Sequence, residues 1–184
     1  MLRLLIVLSF LLAGGAMPAA ADDLSLLRQG GVVALMRHAT APGTGDPHDF
    51  TLGDCTTQRN LSDEGREQAR ETGQRLKEAG LAFGFVGTSQ WCRTRETAEL
   101  LDLGPVKDMP SLNSFFSKPD RAKTQTDETI TAIEGMALDR PAMLVTHQVN
   151  ITALTGVIPR SGEIVVARPD GDGALKVLGK IPPP

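Results

Sequence analysis

The chain has 184 residues, 41% of them hydrophobic, and a formal net charge of −3. That is enough apolar material for one core and too little for two large domains. The mild acidic balance, without a clustered basic face, argues against nucleic-acid binding.

The first segment reads as a leader. Met1-Leu2-Arg3 is a short positive region, Leu4 to Leu12 an apolar stretch, and Ala19-Ala20-Ala21 a small-residue cleavage site followed by Asp22-Asp23. The apolar stretch is too short to span a bilayer, and Gly14, Gly15 and Pro18 interrupt any extension of it. Residues 1–21 are therefore expected to be a signal peptide and residues 22–184 the folded domain. No transmembrane segment would remain after cleavage; an uncleaved anchor is the alternative. The expected location is the periplasm, for a Gram-negative source, or otherwise outside the cell. Loss of Arg3 with the leader would leave a net charge of −4.

Gly31 to Met36 is an apolar run of strand length, followed at once by Arg37-His38-Ala39-Thr40. A charge buried beside an imidazole is costly unless an anion sits there. The stretch from Thr40 to Asn60 contains Pro42, Gly43, Gly45, Pro47 and Gly53, which preclude regular structure. Long loops of this kind are functional or disordered, and this one leaves the Arg-His pair, so it is expected to wall a pocket. His48, inside it, reads as a solvated loop residue, with a substrate contact as the alternative. Ser62 caps a predicted helix from Asp63, with Ala69, Thr72, Leu76 and Ala79 as its inner stripe and Gly80 as its stop.

Phe83 to Thr88 is strand-like, and from Trp91 the spacing of Thr94, Ala98 and Leu101 turns helical. Arg93 then falls in the first turn of a helix, where free amides and the helix dipole favour an anion. A further helix is predicted over Thr129 to Ala137, with Ile130, Ile133 and Ala137 inward. Ala142 to Thr146 forms a second apolar strand ending in a histidine, His147, ahead of a helix carrying Ile151 and Leu154. Ile164–Ala167 and Leu175–Leu178 flank Asp170-Gly171-Asp172-Gly173 as a hairpin. Strands alternating with helices imply a three-layer α/β/α sandwich on a mainly parallel sheet. Three strand ends would deliver Arg37, His38, Arg93 and His147 to one sheet edge, where open α/β sheets bind ligands.

These segments together resemble the histidine phosphatase superfamily, branch 1, with its phosphoglycerate mutase-like fold. Leu35-Met36-Arg37-His38-Ala39 is similar to its Arg-His-Gly signature, and Leu61 to Ala69 to its Leu-[Ser/Thr]-x-x-Gly-x-x-Gln-Ala helix. Ser89 to Ala98 is similar to its Ser-x-x-x-Arg-x-x-x-Thr-Ala block, and Val145-Thr146-His147 to its later histidine. They occur in the family's order across Val32 to Thr152. Ala39 stands where the signature has glycine, and Gln148 where a glycine often follows the second histidine.

The resemblance implies hydrolysis of a phosphomonoester or phosphoramidate. His38 would be the nucleophile, giving a phosphohistidine intermediate. Arg37 and Arg93 would act as forked donors to the phosphoryl oxygens, and His147 would donate to one of them. No cofactor or metal is called for, since the arginines supply the positive charge. The substrate would be a phosphorylated small molecule, a lipid-linked sugar phosphate or a phosphoprotein. A phosphotransferase or mutase of the same fold, and a non-catalytic phospholigand-binding protein, are the other readings. The family's acid follows a leucine after the second motif, and here Asn113 holds that position. Asp46, Asp49 and Asp54 in the long loop are the substitutes. Export also permits a Cys55–Cys92 disulfide, which would hold the loop near the pocket. Two unrelated thiols are the alternative.

Overall fold

The computed structural model describes residues 23–184; the predicted leader over 1–21 lies outside them. Six strands form one sheet: β1 (Val33–Arg37), β2 (Phe85–Thr88), β3 (Val106–Asp108), β4 (Ala142–Thr146), β5 (Ile164–Pro169) and β6 (Leu175–Ile181). Their order is β3-β2-β4-β1-β5-β6. The first four are parallel, and the β5–β6 hairpin joins antiparallel to β1. In register, Arg37 stands opposite Thr146. The residues that follow, His38 and His147, thus leave the carboxyl ends of two adjacent strands.

Alternation along β1 explains the layers. Ala34 and Met36 face one core with Leu76 of α1 (Asp63–Glu78) and Ala98 and Leu101 of α2 (Cys92–Leu101). Val33 and Leu35 face the other, with Ile130 and Ile133 of α3 (Ala122–Glu134) and Ile151 and Leu154 of α4 (Gln148–Thr155). A sheet buried on both faces needs such continuous apolar strands, and the helices complete the α/β/α sandwich. No helix among the described residues is long and apolar enough to cross a membrane.

Two elements differ from expectation. β3 has three residues and one buried neighbour, so Val106-Lys107-Asp108 carries no periodic signal. Helix α3 spans 122–134, where the apolar pattern predicted 129–137. Its first turns bury Gln125 and Thr129 instead of hydrophobic residues. Gln125 Nε2 donates to the Ser111 and Asn113 carbonyls (3.3 and 2.8 Å), and Thr129 Oγ1 donates to Ser111 O (3.1 Å). A polar contact of this kind is invisible to a hydrophobic period. At the other end, Gly135 ends the helix and Ala137 lies beyond it.

The glycine of the first helix motif has a steric reason. A Cβ on Gly65 would lie 2.0 Å from the Thr40 carbonyl oxygen. That carbonyl accepts from Ser62 N (3.1 Å), and Thr40 N donates to Gln68 Oε1 (3.1 Å). Gly65 and Gln68 thereby pin the backbone just after His38 to the start of α1. Ser62 Oγ accepts from Gly65 N (3.1 Å), the expected cap.

Cys55 and Cys92 are disulfide-bonded, with Cα atoms 5.6 Å apart across 37 residues. The bond ties a short 3-10 turn (Cys55–Thr57) to the first residue of α2. In the chain-entropy model, closing a loop of this length contributes about 4 kcal/mol. Reduction, or Cys55→Ser with Cys92→Ser, is expected to lower the unfolding free energy by that order in urea titrations. An unchanged midpoint would show that the bond does not constrain the unfolded chain.

Candidate active site

Arg37, His38, Arg93 and His147 line one cavity of about 100 Å³, the liquid volume of about three waters. All four residues proposed from sequence are therefore brought together, with Arg59 and Asp46 beside them.

His38 is almost fully buried. Its Nδ1 lies 2.8 Å from Ala39 O; a carbonyl only accepts, so Nδ1 carries the proton. Burial, then the charge of Arg93, pushes the His38 pKa down to about 3, with Arg59 and Arg37 adding to the effect. The ring is thus neutral, with its lone pair on Nε2. Ala39 is fully buried, packed with Ala41, Leu61 and Ala69, and its amide donates to Thr97 Oγ1 (3.1 Å). A methyl group is accommodated where the family signature has glycine.

Arg93 is 3% exposed and lies in the first turn of α2. Its Nη1 and Nη2 donate to Asp46 Oδ1 and Oδ2 at 2.6 and 3.1 Å. Asp46 also accepts from Trp91 Nε1 (3.0 Å) and Arg59 N (3.2 Å). Burial opposes the charged carboxyl, but the hydrogen bonds and charge of Arg93, with Trp91 and the Arg59 amide, outweigh it and hold the Asp46 pKa below the usual carboxylate range. Arg37 Nη1 donates to Pro159 O (3.0 Å), and the buried Nε of Arg37 and of Arg93 has no hydrogen-bond partner among the described residues.

His147, at the N-cap of α4, has partners other than those anticipated. Arg93 Nη2 lies 3.3 Å from Nδ1 and can only donate, so Nδ1 accepts and Nε2 carries the proton toward Ser89 Oγ (2.8 Å). In this tautomer His147 has no proton to offer a phosphoryl oxygen. Ser89 Oγ also contacts Thr94 Oγ1 (2.7 Å), a bond either hydroxyl can donate. Burial, then Arg93, lowers the His147 pKa well below that of a free imidazole.

Sequence reasoning missed Arg59. Its Nε donates to Gly45 O (2.7 Å) and its Nη1 to Ala41 O, so one side chain laces the loop into a wall. The signal was available only as a lone cation before Leu61-Ser62. Of the three loop acids, only Asp46 lines the cavity. Asp54 is exposed and binds Thr56 N and Oγ1 (3.0 and 2.7 Å), and Asp49 is exposed. Asn113 is a clamp: Oδ1 accepts from Gln90 N (2.8 Å) and Nδ2 donates to Gln90 Oε1 (2.9 Å). His48 is exposed and lies on an adjoining groove. Gln148 lines the cavity and donates to Thr152 Oγ1 (3.0 Å).

Three guanidinium groups and two imidazoles gathered at the carboxyl edge of a mainly parallel sheet form a candidate anion site in an α/β sandwich. Residues 33–116 match the family model of the histidine phosphatase superfamily (branch 1), the family that the sequence motifs resemble.

Among curated proteins, it is similar to the mitochondrial serine/threonine-protein phosphatase Pgam5 of Drosophila grimshawi, 39% identical over 67 residues, which is 33% of this chain and 23% of the fly protein. Pgam5 of Drosophila virilis is 42% identical over 50 residues, 27% of this chain and 17% of that protein. The chain thus spans about a fifth of the length of these relatives. Among solved structures, the protein histidine phosphatase SixA complexed with tungstate has a TM-score of 0.58 at 18% identity, over 82% of this chain and 96% of that one. Rv3214 of Mycobacterium tuberculosis has a TM-score of 0.59 at 20% identity, over 82% and 97%. A putative phosphohistidine phosphatase SixA from Agrobacterium tumefaciens has 0.58 at 14% identity, over 85% and 100%. At these identities the likeness concerns the fold.

Proposed function

We propose that the chain is a phosphatase that hydrolyses a phosphomonoester or phosphoramidate through a phosphohistidine on His38. The observation that carries this reading is a neutral imidazole, its proton fixed on Nδ1 by Ala39 O, in a cavity shared with three guanidinium groups. The match to the superfamily's family model over residues 33–116 and the short matches to phosphatases support it.

Nε2 of His38 would attack phosphorus, and the bond from phosphorus to the leaving group would break with its electron pair going to the departing atom. Arg37 and Arg93 would hold the charge that spreads over the equatorial oxygens, which is most of what phosphoryl transfer requires. Arg59 lines the same cavity as a third cation. As Arg93 Nη2 turns from His147 to a phosphoryl oxygen, His147 Nδ1 is released. The proton stays on Nε2, bonded to Ser89 Oγ, so the freed Nδ1 can accept from the P–O–H of a monoanionic phosphoryl group. Water would attack phosphorus on the far side from His38, release phosphate and restore the imidazole.

Export through a leader on residues 1–21, with residues 22–184 as the working domain in the periplasm or outside the cell, belongs to the same reading. The Cys55–Cys92 bridge is compatible with an oxidising compartment.

Brief mixing with 32P-labelled 4-nitrophenyl phosphate and denaturation in alkali should yield protein-bound label that is stable in base and lost in acid. His38→Ala should carry none and release no phosphate. Normal turnover by His38→Ala would overturn the mechanism, and tight phosphate binding without turnover by the parent protein would favour a phospholigand-binding module.

A further inference from the structure

A groove of about 320 Å³ adjoins the phosphate cavity and shares Asp46, Ser114 and Phe116 with it. We propose that this groove is the leaving-group subsite and takes an uncharged aromatic ring, so that the substrate is a phosphate ester of a phenol. The inference rests on the phosphatase reading and adds to it the class of alcohol released.

The walls carry the first part of the argument. The chain has one tryptophan, six phenylalanines and no tyrosine, yet Phe50, Trp91 and Phe116 all line this groove. Phe50 and Trp91 pack at 5.4 Å with their planes 42° apart, while Phe116 is 58% exposed. Phe116 thus presents a ring face to solvent beside the anion cavity, open for a ligand to cover. Aromatic walls favour a planar ring through stacked and edge contacts.

Charge carries the second part. Lysine and arginine are absent from the groove lining, and its one carboxylate, Asp46, is already bonded to Arg93. A second phosphate or a carboxylate on the substrate would meet no lysine or arginine there, only the solvent-exposed imidazole of His48, and would face Asp46. The ring is therefore uncharged. Ser114 and Ser117 supply hydroxyls for a polar substituent.

The chemistry agrees independently. The side-chain amide of Asn113 is committed to Gln90, and Asp46 is held ionised by Arg93, so neither hands a proton to a departing oxygen. Phenolate is stable enough to leave without one.

Trp91 is the only tryptophan, so its fluorescence reports on the groove directly. Phenylphosphonate, which is not hydrolysed, is expected to bind about tenfold more tightly than methylphosphonate, and Phe116→Ala should abolish that preference. In turnover, phenyl phosphate is compared with hexafluoroisopropyl phosphate, whose alcohol is of similar acidity but has no ring. Their ratio of kcat/KM should favour phenyl phosphate and should fall about tenfold in Phe116→Ala. Equal binding of the two phosphonates, or a turnover ratio that Phe116→Ala leaves unmoved, would overturn the proposal. Ring-dependent binding with no turnover of either ester would instead reject the phosphatase reading and leave the groove assignment standing.

Discussion

Phosphate esters of simple alkyl alcohols are expected to turn over on the order of a thousandfold more slowly than esters of phenols, the scale that a positioned general acid usually contributes. The expectation comes from where the structure puts each residue that was a candidate for the acid. Asn113 uses both ends of its amide on Gln90 and lies outside the cavity lining. Asp54 caps a turn in solvent. Asp46 reaches the cavity, but its two oxygens accept from Arg93, Trp91 and the Arg59 amide, which keeps it ionised. A series of esters of graded leaving-group acidity should therefore give a steep dependence of kcat/KM. A flat series in the parent protein that becomes steep in Asp46→Asn would identify Asp46 as the acid and show that substrate binding releases it from Arg93.

The parts of this site that were legible in the sequence share one physical origin. A strand buried on both faces is a continuous apolar run, so the first polar residues after it stand out; Arg37-His38 and His147 are marked in this way by β1 and β4. Arg93 was placed by the helical spacing of Thr94, Ala98 and Leu101, all of which are buried. The cysteine pair was legible from the leader predicted over residues 1–21 and from its closeness to the motifs. What stayed hidden depends on tertiary contact between segments without periodicity. Asp46 and Arg93 are 47 residues apart, and nothing around Asp46 distinguishes it from Asp49 or Asp54. The Arg59 contacts run to loop carbonyls, which any residue possesses. The polar start of α3 and the short edge strand β3 were missed for the same reason: neither buries an apolar stripe. The tautomer of His147 depends on the Ser89–Thr94 hydroxyl pair and on Arg93, a three-way arrangement that only coordinates reveal.

Lowering the pH from 7.5 to 5 is expected to remove unfolding free energy through two buried histidines, about 2 kcal/mol of it through His38. In the unfolded chain both imidazoles titrate near the ordinary value of about 6.5. In the folded protein His38 titrates at about 3, and His147 well below 6.5, because burial and the arginines disfavour the imidazolium. Between those values the unfolded state binds protons that the folded state refuses. The contribution is thus fully present above pH 6.5 and is lost as the pH falls toward the folded values. Asp46 acts in a lower window: its pKa is depressed in the fold, so its contribution holds above the unfolded carboxylate value and disappears as the pH drops through the folded one. From pH 7.5 to 5 the histidines therefore dominate the slope. Urea titrations at the two pH values measure it. His38→Gln should lose about 2 kcal/mol of the difference, since it removes one titrating ring while retaining a polar side chain near Ala39 O. Equal midpoints at pH 7.5 and 5 would mean that both rings gain a proton inside the fold. That would require the arginines to hold an anion in the cavity, because a buried imidazolium beside Arg93 needs a counter-charge.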